Sequence, residues 1–195
     1  HTRWNLVTGV QTCALPISLF QAVTPRTAGY NTADLTKMGD TSQAVTILLM
    51  LTGGAPGSTA GGMKVTTLAV LAANAVAAFR RREDPQLFKR RLEPSAVRNA
   101  AAILLLYLGL TFAGAAVISA AEGLPLGVCL YETASAAGTV GLTLGLTPQL
   151  GTLSQAVLIL LMFFGRVGGL TLIYAAFSGH DLTCARCPKE MITVG

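Results

Sequence analysis

The segment TGGAPGSTAGGMK, residues 52–64, separates two apolar stretches, AVTILLML before it and VTTLAVLAANAVAAF after it. Taken together, residues 41–79 are too long for one straight crossing, because a hydrocarbon core of about 30 Å takes roughly 20 helical residues. Glycines and a proline in the middle interrupt the helix. Backbone that leaves a helix at membrane depth persists only against protein or a watery cavity, since each unsatisfied amide or carbonyl costs several kcal/mol in lipid. The segment therefore predicts an all-α membrane protein with broken helices, and its loop must line something.

Composition agrees. The 195 residues are 52% hydrophobic and 12% charged, with 21 glycines, and their mean hydropathy is +0.58, which points away from a soluble domain. Seven basic residues (Arg80, Arg81, Arg82, Lys89, Arg90, Arg91, Arg98) crowd between apolar segments, offset there by Glu83, Asp84 and Glu93. The positive-inside rule makes this loop cytoplasmic. The net charge of +5 is then mainly a topology signal, and a basic run placed between spans speaks against nucleic-acid binding.

The apolar lengths predict further elements. Residues 99–121 are uncharged and long enough to span, and residues 152–178 are also long enough but carry Arg166 near the centre. PLGVCLYETASAA (125–137) and LFQAV (19–23) are short and predict re-entrant helices. VTGVQTCALPIS, Val7–Ser18, resembles the conceptual translation of a sequencing-library adapter joined to a gene fragment at about Leu19. It is set aside like a fusion scar, with the expectation that the true N-terminal portion is missing.

An internal repeat orders these pieces. TPRTAGYNT (24–32) and SAAGTVGLT (135–143) align Thr27 with Thr139 and Gly29 with Gly141, an offset of 139 − 27 = 112. The expected helix breaks keep the same interval, Gly53 following Gly29 by 24 residues and Gly165 following Gly141 by 24, so each copy ends in a spanning helix broken at its middle. The sequence thus divides into an adapter-derived stretch (1–18), a partial repeat (19–79), a basic loop (80–98), a second repeat (99–178) and a cytoplasmic tail (179–195). With the basic loop cytoplasmic, both small-residue loops descend from the outer face.

Two glycine-bearing loops at the ends of short helices can aim carbonyl oxygens at a common axis, replacing the water shell of a cation. Tight packing of small residues between helices is the other reading that spacing allows. Arg166 costs about 2.5–3.5 kcal/mol at a helix centre, so it should face a partner or cavity, and Lys64 is expected to snorkel towards the cytoplasm. Catalysis is not expected. GSTAGGMK lacks the G-K-[ST] of a phosphate loop, and Ser58 has no nucleophile elbow. Cys184 and Cys187 with His180 leave a zinc site short of ligands.

The blocks TPRTAGYNTADL, GGAPGSTAGGMKVTT, ETASAAGTVGLTLGLTP and FFGRVGGLTL resemble, in order, the third and fourth repeats of the Trk/Ktr/HKT superfamily of potassium-translocating membrane subunits. Tyr30 and Gly169 depart from its pattern, where phenylalanine and proline are frequent. The resemblance implies four membrane–pore–membrane repeats with re-entrant pore helices and broken inner helices around one pathway for potassium, with sodium as a second candidate ion. It implies filter strands at Thr27, Ala28, Gly29, Tyr30 and at Thr139, Val140, Gly141, Leu142, coordinating the ion through backbone oxygens. It also implies a gate at Gly53, Gly54, Gly57, Ser58, Thr59, Gly61 and Gly62, with Arg166 projecting beneath the filter. A bacterial inner-membrane location, contact with membrane lipid, a homodimer and a cytoplasmic ring of nucleotide-binding regulatory subunits follow from the same resemblance, the nucleotide residing on the partner. A secondary transporter with a midplane site and a non-conducting membrane adaptor are the alternatives, and inverted rather than parallel repeats would favour the first.

Overall fold

The computed structural model describes residues 10–82, 85–88 and 90–168. Among the described residues there are six α-helices: α1 (Val10–Val23), α2 (Asp40–Leu51), α3 (Val65–Phe79), α4 (Pro94–Glu122), α5 (Leu126–Ala137) and α6 (Thr152–Val167). Helix α1 runs without a break from the adapter-like stretch into Leu19. The rest of the expected last span, the tail, His180, Cys184 and Cys187 lie outside the described residues.

Among the described residues, α4 is the helix long and apolar enough to cross a membrane. Its 29 residues extend roughly 44 Å at 1.5 Å per residue. It begins five residues before the expected span because Pro94 occupies the first turn, where the missing N–H costs nothing. At its other end Gly123, with φ 67°, stops it in a left-handed cap. The all-α expectation needs one correction. The basic loop folds as a small antiparallel hairpin, β1 (Gln86–Leu87) on β2 (Arg90–Arg91), pairing Gln86 with Arg91 and Leu87 with Arg90. Its strands close because Phe88 turns the chain at φ 51°.

Helix α4 packs against α3, α5 and α6, while α5 sits between α6 and α2. The α5 helix is the buried element: Tyr131 to Gly138 are all covered. Small side chains at Ala134, Ser135, Ala136 and Ala137 let neighbours approach its C-terminal half closely. Across α4 the glycines divide by role. A Cβ on Gly114 would lie 2.8 Å from Leu161 Cδ1 and 3.4 Å from Thr133 Cγ2, whereas one on Gly109 would meet nothing within 4 Å. At the C-terminal end of α4, Glu122 Oε1 accepts from the Gly151 N–H (2.8 Å) and the Ser154 hydroxyl (2.7 Å), placing a carboxyl at the N-terminus of α6.

The 112-residue offset recurs in the backbone. Short 3₁₀ turns at Leu35–Lys37 and Thr147–Gln149 stand 112 apart, as do the first residues of α2 and α6, Asp40 and Thr152. Their N-caps Gly39 and Gly151 share the same extended geometry, φ −67° with ψ 156° and 165°. The correspondence fails at the helix breaks. Whereas α2 ends at Leu51, α6 continues through Gly165 to Val167, so the expected break at Gly165 is not there. That glycine instead accommodates the Ala137 carbonyl, which a Cβ would strike.

Because Gly109 and Gly114 share one helix, their substitution to valine carries the same propensity cost. Gly114→Val should lower stability by about 1–3 kcal/mol more than Gly109→Val, the usual cost of overpacking. Thermal unfolding of the two variants in detergent checks this, and equal midpoints would show that α4 does not pack on α6 through Gly114.

Candidate functional site

The two aligned loops adopt the same bend. Thr27 and Thr139 have φ 63° and 53°, and Gly29 and Gly141 have φ 71° and 86°. A β-branched residue in the left-handed region is an outlier costing of order 1–3 kcal/mol, sustained only where the surroundings over-determine it. Here it occurs twice at equivalent positions. Left-handed residues thus stand at alternate positions in both loops, with Ala28 and Val140 between them. Both bends hang from helix ends: the Ala28 and Gly29 amides donate to the Thr24 carbonyl (3.1 and 3.2 Å), and the Val140 amide donates to that of Ser135 (2.9 Å).

The bends are also neighbours. A Cβ on Gly29 would strike the carbonyl of Val140 and lie 3.7 Å from Gly141 Cα. Val140 and Leu142 are buried with Leu35, Met50, Leu51, Tyr131 and Ala134, while Tyr30 is 73% exposed. The eight expected filter residues thus fall into two adjoining turns, one packed beneath and one open at Tyr30.

Residues 52–64 form a closed lobe rather than a slack linker. At its neck the Gly53 amide donates to Met63 (2.7 Å), the Met63 amide to Leu51 (3.1 Å) and the Val65 amide to Gly54 (3.2 Å). At its tip Ala55-Pro56-Gly57-Ser58 makes a β-turn, the Ser58 amide donating to Ala55 (3.1 Å) across Gly57 at φ 84°. Proline then a left-handed glycine is the sequence such a turn requires. Gly61 touches the second bend: its N–H donates to Thr139 Oγ1 at 3.1 Å, and any side chain there would collide with Thr139. Gly62 faces Gly138, with the Met50 and Leu51 carbonyls close by.

Two cations hold the tip. Arg166 donates through Nη1 to the Thr59 carbonyl. Lys64, expected to snorkel away, instead turns back, its Nζ donating to the carbonyls of Ala60 (2.6 Å) and Ser58 (3.2 Å). The geometry corrects that expectation for a local reason: three consecutive carbonyls face the ammonium and the guanidinium, and each is a charge-assisted acceptor. Between lobe and α6 lies a cavity of about 310 Å³ lined by Ser58, Thr59, Ala60, Lys64, Gly165 and Arg166 among others. Gly53, Gly54, Gly57, Ser58, Thr59, Gly61 and Gly62 all lie on the lobe, and Arg166 reaches it from α6. Sequence reasoning missed Lys64 as a ligand of the lobe. Its place four residues after Ala60 was the available signal.

Two glycines with left-handed backbones separate strain from contact. Gly57→Ala meets nothing within 4 Å and should cost of order 1 kcal/mol from backbone strain alone. Gly29→Ala adds collision with Val140 and should cost about 3 kcal/mol or more. Thermal unfolding in detergent ranks them, and equal losses would mean the two bends do not abut.

Comparison with known proteins bears on this geometry. Residues 11–181 match the model of the TrkH family, described as cation transport protein. Ktr system potassium uptake protein B of Bacillus subtilis (strain 168) is 39% identical over 178 residues, covering 91% of this chain and 40% of the relative. Potassium/sodium uptake protein NtpJ of Enterococcus hirae is 37% identical over 197 residues, covering 98% and 44%. Ktr system potassium uptake protein B of Vibrio alginolyticus is 32% identical over 195 residues, covering 100% and 42%. The chain spans about two fifths of the length of these curated relatives. With paired left-handed bends, a pinned glycine lobe and a family match over most of its length, the chain belongs to the TrkH family, one of cation transport and not of enzymes.

Proposed function

We propose that this chain is part of the ion-translocating subunit of a potassium uptake system in a bacterial inner membrane, with sodium as the second candidate ion. The supporting observation is the pair of left-handed bends at Thr27–Gly29 and Thr139–Gly141, side by side. Potassium uptake stands in the names of the Bacillus and Vibrio relatives, and potassium and sodium uptake in that of the Enterococcus relative.

On this reading residues 19–79 carry most of the third membrane–pore–membrane repeat and 99–178 the fourth, with 80–98 as the cytoplasmic loop, 179–195 as the tail and 1–18 adapter-derived. Thr27–Tyr30 and Thr139–Leu142 are two of four filter strands, stripping water from the ion through main-chain oxygens. The lobe Gly53–Gly62 is the gate, and Arg166 is its latch. The cavity between lobe and α6 belongs to the pathway, where the arginine charge raises the barrier to a cation. Adjoining bends favour parallel repeats around one axis over the inverted repeats of a midplane transporter. Two of the relatives are named as lettered proteins of a Ktr system, which supports a separate regulatory subunit. That subunit would be the cytoplasmic nucleotide-binding ring, meeting the basic loop and the tail of a homodimer surrounded by membrane lipid.

In a full-length protein reconstituted in vesicles, Arg166→Gln should raise basal potassium flux about tenfold, the equivalent of one charge-assisted hydrogen bond lost from the closed lobe. Lys64→Met should act in the same direction, and the double variant more strongly than either. Tracer flux with and without the regulatory subunit checks this. Unchanged flux together with unchanged regulation would remove Arg166 from the gate, and absence of flux from the parent would sink the transport reading itself.

A further inference from the structure

Glu132 is the acidic residue of α5 and is 4% exposed. Burying a carboxyl is costly unless its oxygens are occupied, and here both are. Oε1 accepts from the Thr143 hydroxyl (2.6 Å) and the Leu144 amide (3.0 Å), and Oε2 accepts from the Thr147 hydroxyl (2.9 Å). Thr143 in turn accepts from the Gly145 amide at 2.9 Å. One carboxyl thus gathers the five residues Thr143–Thr147, which begin two positions after Gly141. The helix carrying it is the one from which the Thr139–Gly141 bend hangs, so the bend is held at both ends by α5: by the helix end before it and by Glu132 after it.

Among the described residues, the first copy has no such device. The position 112 residues before Glu132 is Phe20, and those matching Thr143 and Thr147 are Asn31 and Leu35. Its bend is tied instead by the Thr24 hydroxyl, which donates to the Tyr30 carbonyl at 2.6 Å. The two bends therefore share a backbone conformation but are fixed by different chemistry, a hydroxyl on a carbonyl in one and a carboxyl on three donors in the other.

We infer that Glu132 is a positioning residue for the second bend, fixing the chain that leaves Gly141 so that this strand discriminates between monovalent cations. The inference rests on the cation-pathway reading above. It makes the second bend the stiffer of the two, because a carboxyl with three donors must lose all of them before the Thr143–Thr147 turn can relax.

The test uses a full-length protein in vesicles, with half-saturating potassium, maximal flux and the potassium-to-sodium flux ratio as readouts. Glu132→Gln should raise the half-saturating potassium concentration about tenfold and lower the ratio by a similar factor, as loss of one well-placed hydrogen bond does. Maximal flux should change less. Thr147→Val should move both readouts in the same direction by a smaller factor. Glu122→Gln removes a carboxyl that only joins α4 to α6, and should lower thermal stability while leaving both readouts alone. If Glu132→Gln is not recovered folded, Thr147→Val and Thr143→Ala decide the matter on the same readouts. Folded Glu132 or Thr147 variants with parental half-saturation and parental ratio overturn the positioning role. A parent that conducts no cation overturns the pathway reading and this inference with it.

Discussion

A backbone that leaves its helix inside an apolar layer loses the water that would satisfy it, and its amides and carbonyls must find partners within the protein. The glycine lobe of this chain finds them in the second bend, in two side-chain cations and in its own neck. The Gly61 amide goes to Thr139, the Thr59 carbonyl to Arg166, the Ser58 and Ala60 carbonyls to Lys64, and the lobe closes its own neck through Gly53, Met63 and Val65. Mutual satisfaction has a mechanical consequence. Withdrawing the lobe removes the hydrogen-bond partner of a strained threonine, so lobe and bend move together or pay for an orphaned group.

The lobe's chemistry explains how a flexible sequence becomes a closed element. Carbonyls of Ser58, Thr59 and Ala60 are ligands of the kind a dehydrated cation would use, and Lys64 and Arg166 already occupy them. On the proposed reading, an ion arriving beneath the bends meets both a positive field and ligands that are taken. Opening then requires that the side-chain cations be drawn off, which costs more than moving a neutral loop, because charge-assisted hydrogen bonds are roughly twice as strong as neutral ones.

Much of this was written in period and glycine. The 112-residue offset aligned Thr27 with Thr139 and Gly29 with Gly141, and those four residues share a left-handed backbone. The break after Leu51 was legible because glycine and proline act locally, through the conformations they permit or forbid. What failed to show had tertiary causes. Gly165 looked like a second break, yet whether a glycine ends a helix or admits a neighbour depends on what lies opposite, here the Ala137 carbonyl. Lys64 near a helix start reads as a snorkelling side chain until the three carbonyls of the lobe are folded towards it. Glu132 stood unremarked in an otherwise uncharged helix because its partners lie 11 to 15 residues further on, beyond helical reach. The hairpin at Gln86–Arg91 hid within a charge run that composition reads only as topology.

The tight approach at Gly165 also fixes where Arg166 points. With 3.6 residues per turn, adjacent helical side chains point about 100° apart, so the face that Gly165 lays against Ala137 determines where Arg166 is aimed. Helix α6 cannot rotate without driving another surface into the C-terminal end of α5, where Gly138 and Thr139 begin the second bend. A methyl group at 165 would press on the Ala137 carbonyl and swing the guanidinium away from Thr59 without touching either. The arginine's reach to the lobe is therefore a property of the α5–α6 contact as much as of its own charge, and a glycine inside α6 is what allows the guanidinium to meet the Thr59 carbonyl.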